Sequence, residues 1–129
     1  MDYAITATLD LPFAAAVEQV RTALAAQGFG ILTEIDVRAT LRAKLGEEME
    51  DYLILGACNP SLAHRALGVD RSIGLLLPCN VVVRTADGHT VVEAIDPQVI
   101  VQIGGQPELA AVADEAAALL RTALDGLRR

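Results

Sequence analysis

The sequence has no tryptophan, few aromatic residues and only two cysteines, and each shortage narrows what the chain can be. Aromatic residues make up 3% of the chain while 53% of it is hydrophobic, so aliphatic and alanine side chains must fill the core. The cysteines lack a Cys-x-x-Cys spacing, and His64 and His89 stand alone, so the sequence offers no zinc framework. We expect the two cysteines to be reduced thiols rather than a structural disulfide.

Positive charge is also scarce, with 10 Lys and Arg against 17 Asp and Glu and a net charge of −7. Nucleic-acid binding requires an excess of Lys and Arg, so the composition argues against such a partner. No apolar run approaches the roughly 18 residues of a membrane helix, and the first residues lack the basic and apolar regions of a signal peptide. We therefore expect a cytoplasmic protein with neither a nucleic-acid nor a membrane partner.

Familiar catalytic and cofactor motifs are absent as well. The sequence contains no Gly-x-Gly-x-x-Gly or Walker loop, no His-Glu-x-x-His and no Gly-x-Ser-x-Gly. The cofactor is therefore unknown from the sequence, and it is open whether the protein is an enzyme.

Hydrophobic periodicity predicts alternating strands and helices within one domain spanning residues 1–129. Asp87-Gly88 is a strong β-hairpin signal, and Asn59-Pro60 is suited to begin a helix as N-cap and first helical residue. The element order predicts an α+β two-layer sandwich, with a mainly antiparallel sheet and helices on one face. The predicted strands are 3–9, 29–35, 52–57, 75–84 (interrupted at Pro78) and 89–95, and the predicted helices are 12–27, 36–46, 60–68 and 107–127.

Two Cys-Asn pairs, Cys58-Asn59 and Cys79-Asn80, stand where predicted strands end or begin. If these strands are antiparallel neighbours, both pairs lie at one end of the sheet. We therefore predict a site formed by Cys58, Asn59, Cys79 and Asn80. Cys58 is the more reactive candidate, because it precedes a helix N-terminus that favours a thiolate. The structural alternative is that the cysteines are small buried residues and Asn59 is only a helix cap.

Three weaker candidates have simpler structural explanations. Glu34 and Asp36 share a strand face and could do acid–base work, yet Asp36 is also suited to cap a helix. Arg38 and Arg42 lie one helical turn apart and could bind an anion together. Arginines with this spacing more often lie on a solvent-exposed helix face. His64 could reach the Cys58 side, or it could be an isolated surface histidine.

Several segments together resemble the domain-of-unknown-function 302 family. The first segment spans residues 34–46 and begins Glu-Ile-Asp-Val. The others are Leu-Gly-Ala-Cys-Asn-Pro at 55–60, Leu-Pro-Cys-Asn at 77–80 and Asp-Pro at 96–97. These segments occur in order over most of the chain. The resemblance implies a TATA-binding-protein-like α+β fold and a homodimer, and it implies no activity.

Three functions fit these observations. The first is a module that binds a small ligand or a soft metal ion through two thiols and two amides. A metal would be Cu(I) or Zn, and a closed tetrahedral site would need a further histidine, carboxylate or second subunit. The second is a thiol redox or thiol-transfer protein that uses Cys58. The third is a structural or interaction module whose Cys-Asn pairs are turns.

Overall fold

A five-stranded antiparallel sheet with helices packed on one face forms the protein, seen here in a computed structural model that describes residues 2–127. The strands are β1 (Ala4–Leu9), β2 (Gly30–Asp36), β3 (Tyr52–Cys58), β4 (Cys79–Ala86) and β5 (His89–Ile95). The α-helices are α1 (Phe13–Ala26), α2 (Val37–Leu45), α3 (Pro60–Val69), α4 (Pro97–Gly104) and α5 (Ala110–Asp125), with 3₁₀ helices at Arg71–Leu76 and Pro107–Leu109. The strand order is β1-β5-β4-β3-β2. The predicted α+β two-layer sandwich is confirmed.

The main core lies between the sheet and the helices α1 and α5. Alternate residues of β1, β4 and β5, and Leu53, Leu55 and Ala57 of β3, are buried against this layer, which is the period-two pattern that the sequence predicts. The edge strand β2 contributes only the partly buried Ile31. Alanines on both helices, such as Ala16 and Ala123, let the helices approach the sheet closely. The largest fully buried side chains are aliphatic except for one threonine: Leu9, Val20, Leu24, Leu55, Val81, Val83, Thr90, Val92, Leu120 and Leu124.

The predicted caps and hairpin turn are confirmed. Asp36 caps α2 by accepting a hydrogen bond from the backbone N–H three residues later, at 2.9 Å. Asn59 caps α3 in the same way at 3.4 Å, with Pro60 as the first helical residue. Asp87 and Gly88 have φ angles of 50° and 80°, which is the left-handed conformation that a tight type I′ hairpin turn requires.

The predicted start of the fourth strand at Leu75 is wrong. The residues Arg71–Leu76 form a 3₁₀ helix, because Asp70 accepts a hydrogen bond from the Ser72 N–H at 3.0 Å and caps it. Ile73 is buried in a second apolar cluster and anchors this helix. A cis Leu77-Pro78 bond follows, and β4 begins only at Cys79.

The last third of the chain holds a helix that the sequence interpretation left unassigned. The apolar run 99–103 belongs to α4, which begins at Pro97 after Asp96 caps it by accepting from the Gln98 N–H at 3.0 Å. The predicted helix from Pro107 begins instead with the 3₁₀ turn Pro107–Leu109 and continues as α5.

The topology brings the two Cys-Asn pairs to one end of the sheet. β3 and β4 are adjacent and antiparallel, and Ala57 pairs with Cys79. The chain leaves the sheet at this end into α3 and returns through Pro78. Here α3, α4 and the 3₁₀ helix Arg71–Leu76 build the second apolar cluster. No helix within residues 2–127 is both long enough and apolar enough to cross a membrane.

Candidate functional site

An apolar cavity of about 70 Å³ lies at the end of the sheet that carries the two cysteines. Its walls come from the ends of β3 and β4 and from α3, α4, α5 and the 3₁₀ helix Arg71–Leu76. The lining side chains are aliphatic apart from Phe29, Asn59 and the two cysteines. Such a surface accepts an apolar group more readily than water, since a buried water needs two to four polar partners.

Small side chains create this space. Ala63 and Ala66 of α3 face it from one side, and Ala113 and Ala116 of α5 face it from another. Both pairs have a spacing of three residues, which places their members on one face of a helix. The sequence interpretation did not connect these alanines with a site, although their shared spacing on two helices was a visible signal.

The cavity is partly open, and several of its lining residues are only half-buried. Leu77 and Pro78 on one side, and Ile100 and Val101 on the other, line it and are only half-buried. The deeper lining, including Leu109, is buried. The half-buried lining residues mark the side of the cavity that is accessible from solvent.

Both cysteines line the cavity as free thiols. Cys79 is buried and Cys58 is half-buried. Burial raises the pKa of the Cys79 thiol to about 11, with the charge of the neighbouring Cys58 as a second cause. Cys79 is consequently protonated at neutral pH. Its thiol is therefore a polarizable, weakly polar part of the cavity lining and not a nucleophile.

Asn59 also lines the cavity, but its amide serves the fold. Its Oδ1 accepts from the Leu62 N–H at 3.4 Å and caps α3. Its Nδ2 donates to the Gln27 carbonyl at 3.4 Å, which ties α3 to the residue that follows α1. Both the oxygen and the nitrogen of the amide are therefore used in hydrogen bonds that stabilise the fold.

Asn80 is separated from the other three predicted site residues. It pairs with Gly56 across β3 and β4, on the sheet face opposite to that of Cys79. Its side chain is exposed, and it does not line the cavity. The structure thus brings Cys58, Asn59 and Cys79 to one cavity and leaves Asn80 outside it.

No metal centre is formed by the described part of the chain. Residues 2–127 contain no group of three or more His, Cys, Asp or Glu that could hold a metal ion. His64 is exposed on α3 and does not line the cavity. Within this range Cys58 and Cys79 therefore have no third metal ligand.

The carboxylates Glu34 and Asp36 have structural partners. Asp36 caps α2, as described above. Glu34 accepts a hydrogen bond from the Arg21 guanidinium of α1 at 2.6 Å, so it links the edge strand β2 to the helix layer.

The arginines of α2 form ion pairs with the acidic connector that follows it. Arg38 pairs with Asp51 at 2.8 Å. Arg42 pairs with Glu48 at 2.8 Å, through two hydrogen bonds. Hydrogen bonding from Arg42 lowers the pKa of the exposed Glu48 carboxyl. Both arginines therefore have carboxylate partners within the chain, which explains them without a bound anion.

Comparison with known proteins places the chain in a family without assigning it an activity. The family described as "Domain of unknown function DUF302" matches residues 5–127. The crystal structure of an uncharacterized conserved protein DUF302 from Bacillus stearothermophilus is similar, with a TM-score of 0.91 and 27% sequence identity over 97% of this chain and 98% of that one. No functionally curated protein matches the sequence. The chain therefore belongs to the DUF302 family.

Proposed function

We propose that this protein binds a small apolar molecule, or the apolar end of a longer one, in the cavity beside Cys58 and Cys79. The observation that carries this proposal is the cavity itself, which has a mainly aliphatic lining and is partly open to solvent. Ligand sites are typically concave and mostly apolar, with few polar groups. A cytoplasmic setting, which keeps thiols reduced, suits the two free cysteines.

The cavity size limits the occupant. An engineered cavity of about 150 Å³ accepts benzene, whereas this one measures about 70 Å³. By that ratio about two to four carbons fit without movement of the walls. The remainder of a longer molecule would extend past Pro78 and Ile100 into solvent.

The other two chemistries proposed for the cysteines have less support. A soft metal ion would find two thiols but no third ligand among residues 2–127. A redox cycle between Cys58 and Cys79 would use a thiol whose pKa is raised to about 11, and thiols of high pKa are poor leaving groups in disulfide exchange.

The proposal is tested by a chain-length series. Thermal unfolding of the reduced protein is followed with added straight-chain alcohols of increasing length. A ligand that binds only the folded state at 100 times its Kd stabilises by about 2.7 kcal/mol, so a saturable rise in Tm is expected. Stabilisation should grow with length while the chain fills the cavity, then level off.

A matched pair of variants locates the binding. Ala113→Leu places three more carbons on α5 in the cavity, and it should abolish the rise in Tm. Ala111→Leu makes the same change on an exposed turn of α5 and should leave the rise intact. Alcohols that fail to stabilise the wild type, or that stabilise Ala113→Leu equally, would contradict the proposal. Stabilisation by Zn²⁺ at equimolar concentration would favour the metal module instead.

A further inference from the structure

The two thiols that line the cavity differ in their access to solvent. Cys58 ends β3 and is half-buried, whereas Cys79 begins β4 and is 8% exposed. Ala57 pairs with Cys79 across the two strands, so both cysteines lie at the same end of the sheet. After burial, the charge of Cys58 is the second cause that raises the pKa of Cys79, which agrees with neighbouring sulfur atoms. The cavity therefore has one accessible thiol and one deep thiol.

The deep thiol lacks a hydrogen-bond partner. No group among residues 2–127 forms a hydrogen bond with the Cys79 sulfur, although this side chain is buried and lines the cavity. Buried polar groups usually have a partner, so an exception needs an explanation. The S–H group is a weak donor, and a ligand with an acceptor oxygen would supply the missing partner.

The start of α3 leaves a donor close in sequence to the accessible thiol. The side chain and the carbonyl of Asn59 accept the N–H groups of the third and fourth residues that follow, at 3.4 and 2.9 Å. Pro60 has no N–H, so Ser61 N–H is the donor of the first turn that no group within residues 2–127 accepts. Unpaired N–H groups at a helix N-terminus favour a negative charge nearby. This end of the helix therefore suits Cys58 as a thiolate, the form in which cysteine is a nucleophile.

We propose that Cys58 captures short α,β-unsaturated aldehydes and ketones that occupy the cavity, by adding covalently to their double bond. This inference rests on the apolar binding proposed above and names the class of ligand. Such compounds with three or four carbons lie within the size estimated above for the occupant. They combine an apolar body, an electrophilic carbon for Cys58 and a carbonyl oxygen that can accept from Cys79.

The addition needs no oxidant, reductant or further reactant. The Cys58 sulfur forms a bond to the β-carbon, and the π electrons of the C=C bond move towards the carbonyl oxygen to give an enolate. The α-carbon then takes up one proton, which replaces the proton that the Cys58 thiol released, and the product is a thioether. The Cys79 S–H can donate to the oxygen on which negative charge develops, as donors in an oxyanion hole do.

Mass spectrometry of the intact, reduced protein tests this capture with methyl vinyl ketone, an unsaturated ketone with four carbons. One adduct per chain should form, at Cys58 in the peptide map. Its rate should saturate as the ketone concentration rises, because binding precedes addition. Acrylamide, which is polar and of similar size, should react slowly and without saturation. Butan-2-one, which fills the same space but has no C=C bond, should slow the capture competitively.

Variants separate the roles of the two thiols and the cavity. Cys58→Ser should form no adduct. Ala113→Leu should abolish saturation, whereas Ala111→Leu, on an exposed turn of α5, should behave like the wild type. Cys79→Ala should lower the maximal rate by about tenfold and leave the half-saturating concentration unchanged, since loss of a stronger oxyanion donor usually costs roughly 10²–10³-fold. Cys79→Ser, which keeps a donor, should retain the rate.

Two measurements on the same protein distinguish failure of the capture from failure of the binding. Addition at Cys58 that stays proportional to the ketone concentration, or that butan-2-one does not slow, overturns the capture. So does an adduct that forms on Cys58→Ser at the wild-type rate. The cavity binding stands after such results if straight-chain alcohols still raise the Tm. Alcohols that leave the Tm unchanged contradict the binding and the capture together.

Discussion

Replacing Asn59 with alanine distinguishes a structural role for the first Cys-Asn pair from a role in ligand binding. Asn59 holds two elements at once. Its Oδ1 caps α3 through the Leu62 N–H, and its Nδ2 donates to the Gln27 carbonyl at the end of α1. Asn80 also follows a cysteine, but it is exposed and lies on the sheet face opposite to that of Cys79. The two asparagines therefore form a matched pair.

The expected cost follows from the two hydrogen bonds. Removal of an N-cap costs about 0.5–2 kcal/mol, and loss of a further hydrogen bond costs about 0.5–1.5 kcal/mol. Both distances are long, at 3.4 Å, which places each effect at the low end. We expect Asn59→Ala to lower the free energy of unfolding by about 1–2 kcal/mol, or Tm by about 4–7 °C for a chain of this length.

Urea unfolding followed by circular dichroism measures this difference, provided the m-value is unchanged. Asn59→Ser keeps a capping oxygen but loses the donor to Gln27, so its cost should lie between those of the wild type and Asn59→Ala. Asn80→Ala should cost less than about 0.5 kcal/mol, as surface substitutions usually do. Equal losses for Asn59→Ala and Asn80→Ala would refute the structural reasoning.

Three further changes test the sheet and the buried thiol. Thr90→Val removes the hydrogen bond to the Leu11 carbonyl, at 2.7 Å, and should cost about 1–2 kcal/mol in chemical denaturation. Gly56→Ala would place a Cβ against the Thr33 hydroxyl and 2.8 Å from Pro78 Cγ, and this overpacking should cost about 1–3 kcal/mol by the same measurement. Because the pKa of Cys79 rises from 9.0 to about 11 on folding, the native state holds its proton longer than the unfolded chain. Stability should therefore fall by roughly 2–3 kcal/mol between pH 9 and 11, a loss that Cys79→Ala should not share; equal slopes in both proteins would refute the assignment.

The sequence predicted the sheet well because its signals are local. Capping side chains at Asp36 and Asn59, and the positive φ that Asp87-Gly88 adopts, act within a few residues. The position of β4 was mispredicted at its start because the run Leu75 to Leu77 reads as a strand. Asp70 and the burial of Ile73 outweigh that pattern and hold a 3₁₀ helix instead.

The site could be predicted only in part. Placement of Cys58 and Cys79 at one sheet end followed from antiparallel neighbours, and the register Ala57 to Cys79 agrees with it. Asn80 could have been separated from Cys79, because adjacent residues of a strand point to opposite faces of the sheet; the predicted four-residue site overlooked that signal. The cavity itself arises where α3, α4 and α5 converge, and no local pattern fixes the gap between helices.

Methyl NMR of the reduced protein with a short alcohol tests the proposed binding most directly. Saturable shifts are expected at methyl groups that line the cavity, such as those of Leu62, Ile73, Ile100 and Val112. Methyls of Val82 and Val91, on the opposite face of the sheet, should not move. Shifts that are absent, that fail to saturate, or that appear equally at Val82 and Val91 would contradict an apolar ligand site at the cysteine end of the sheet.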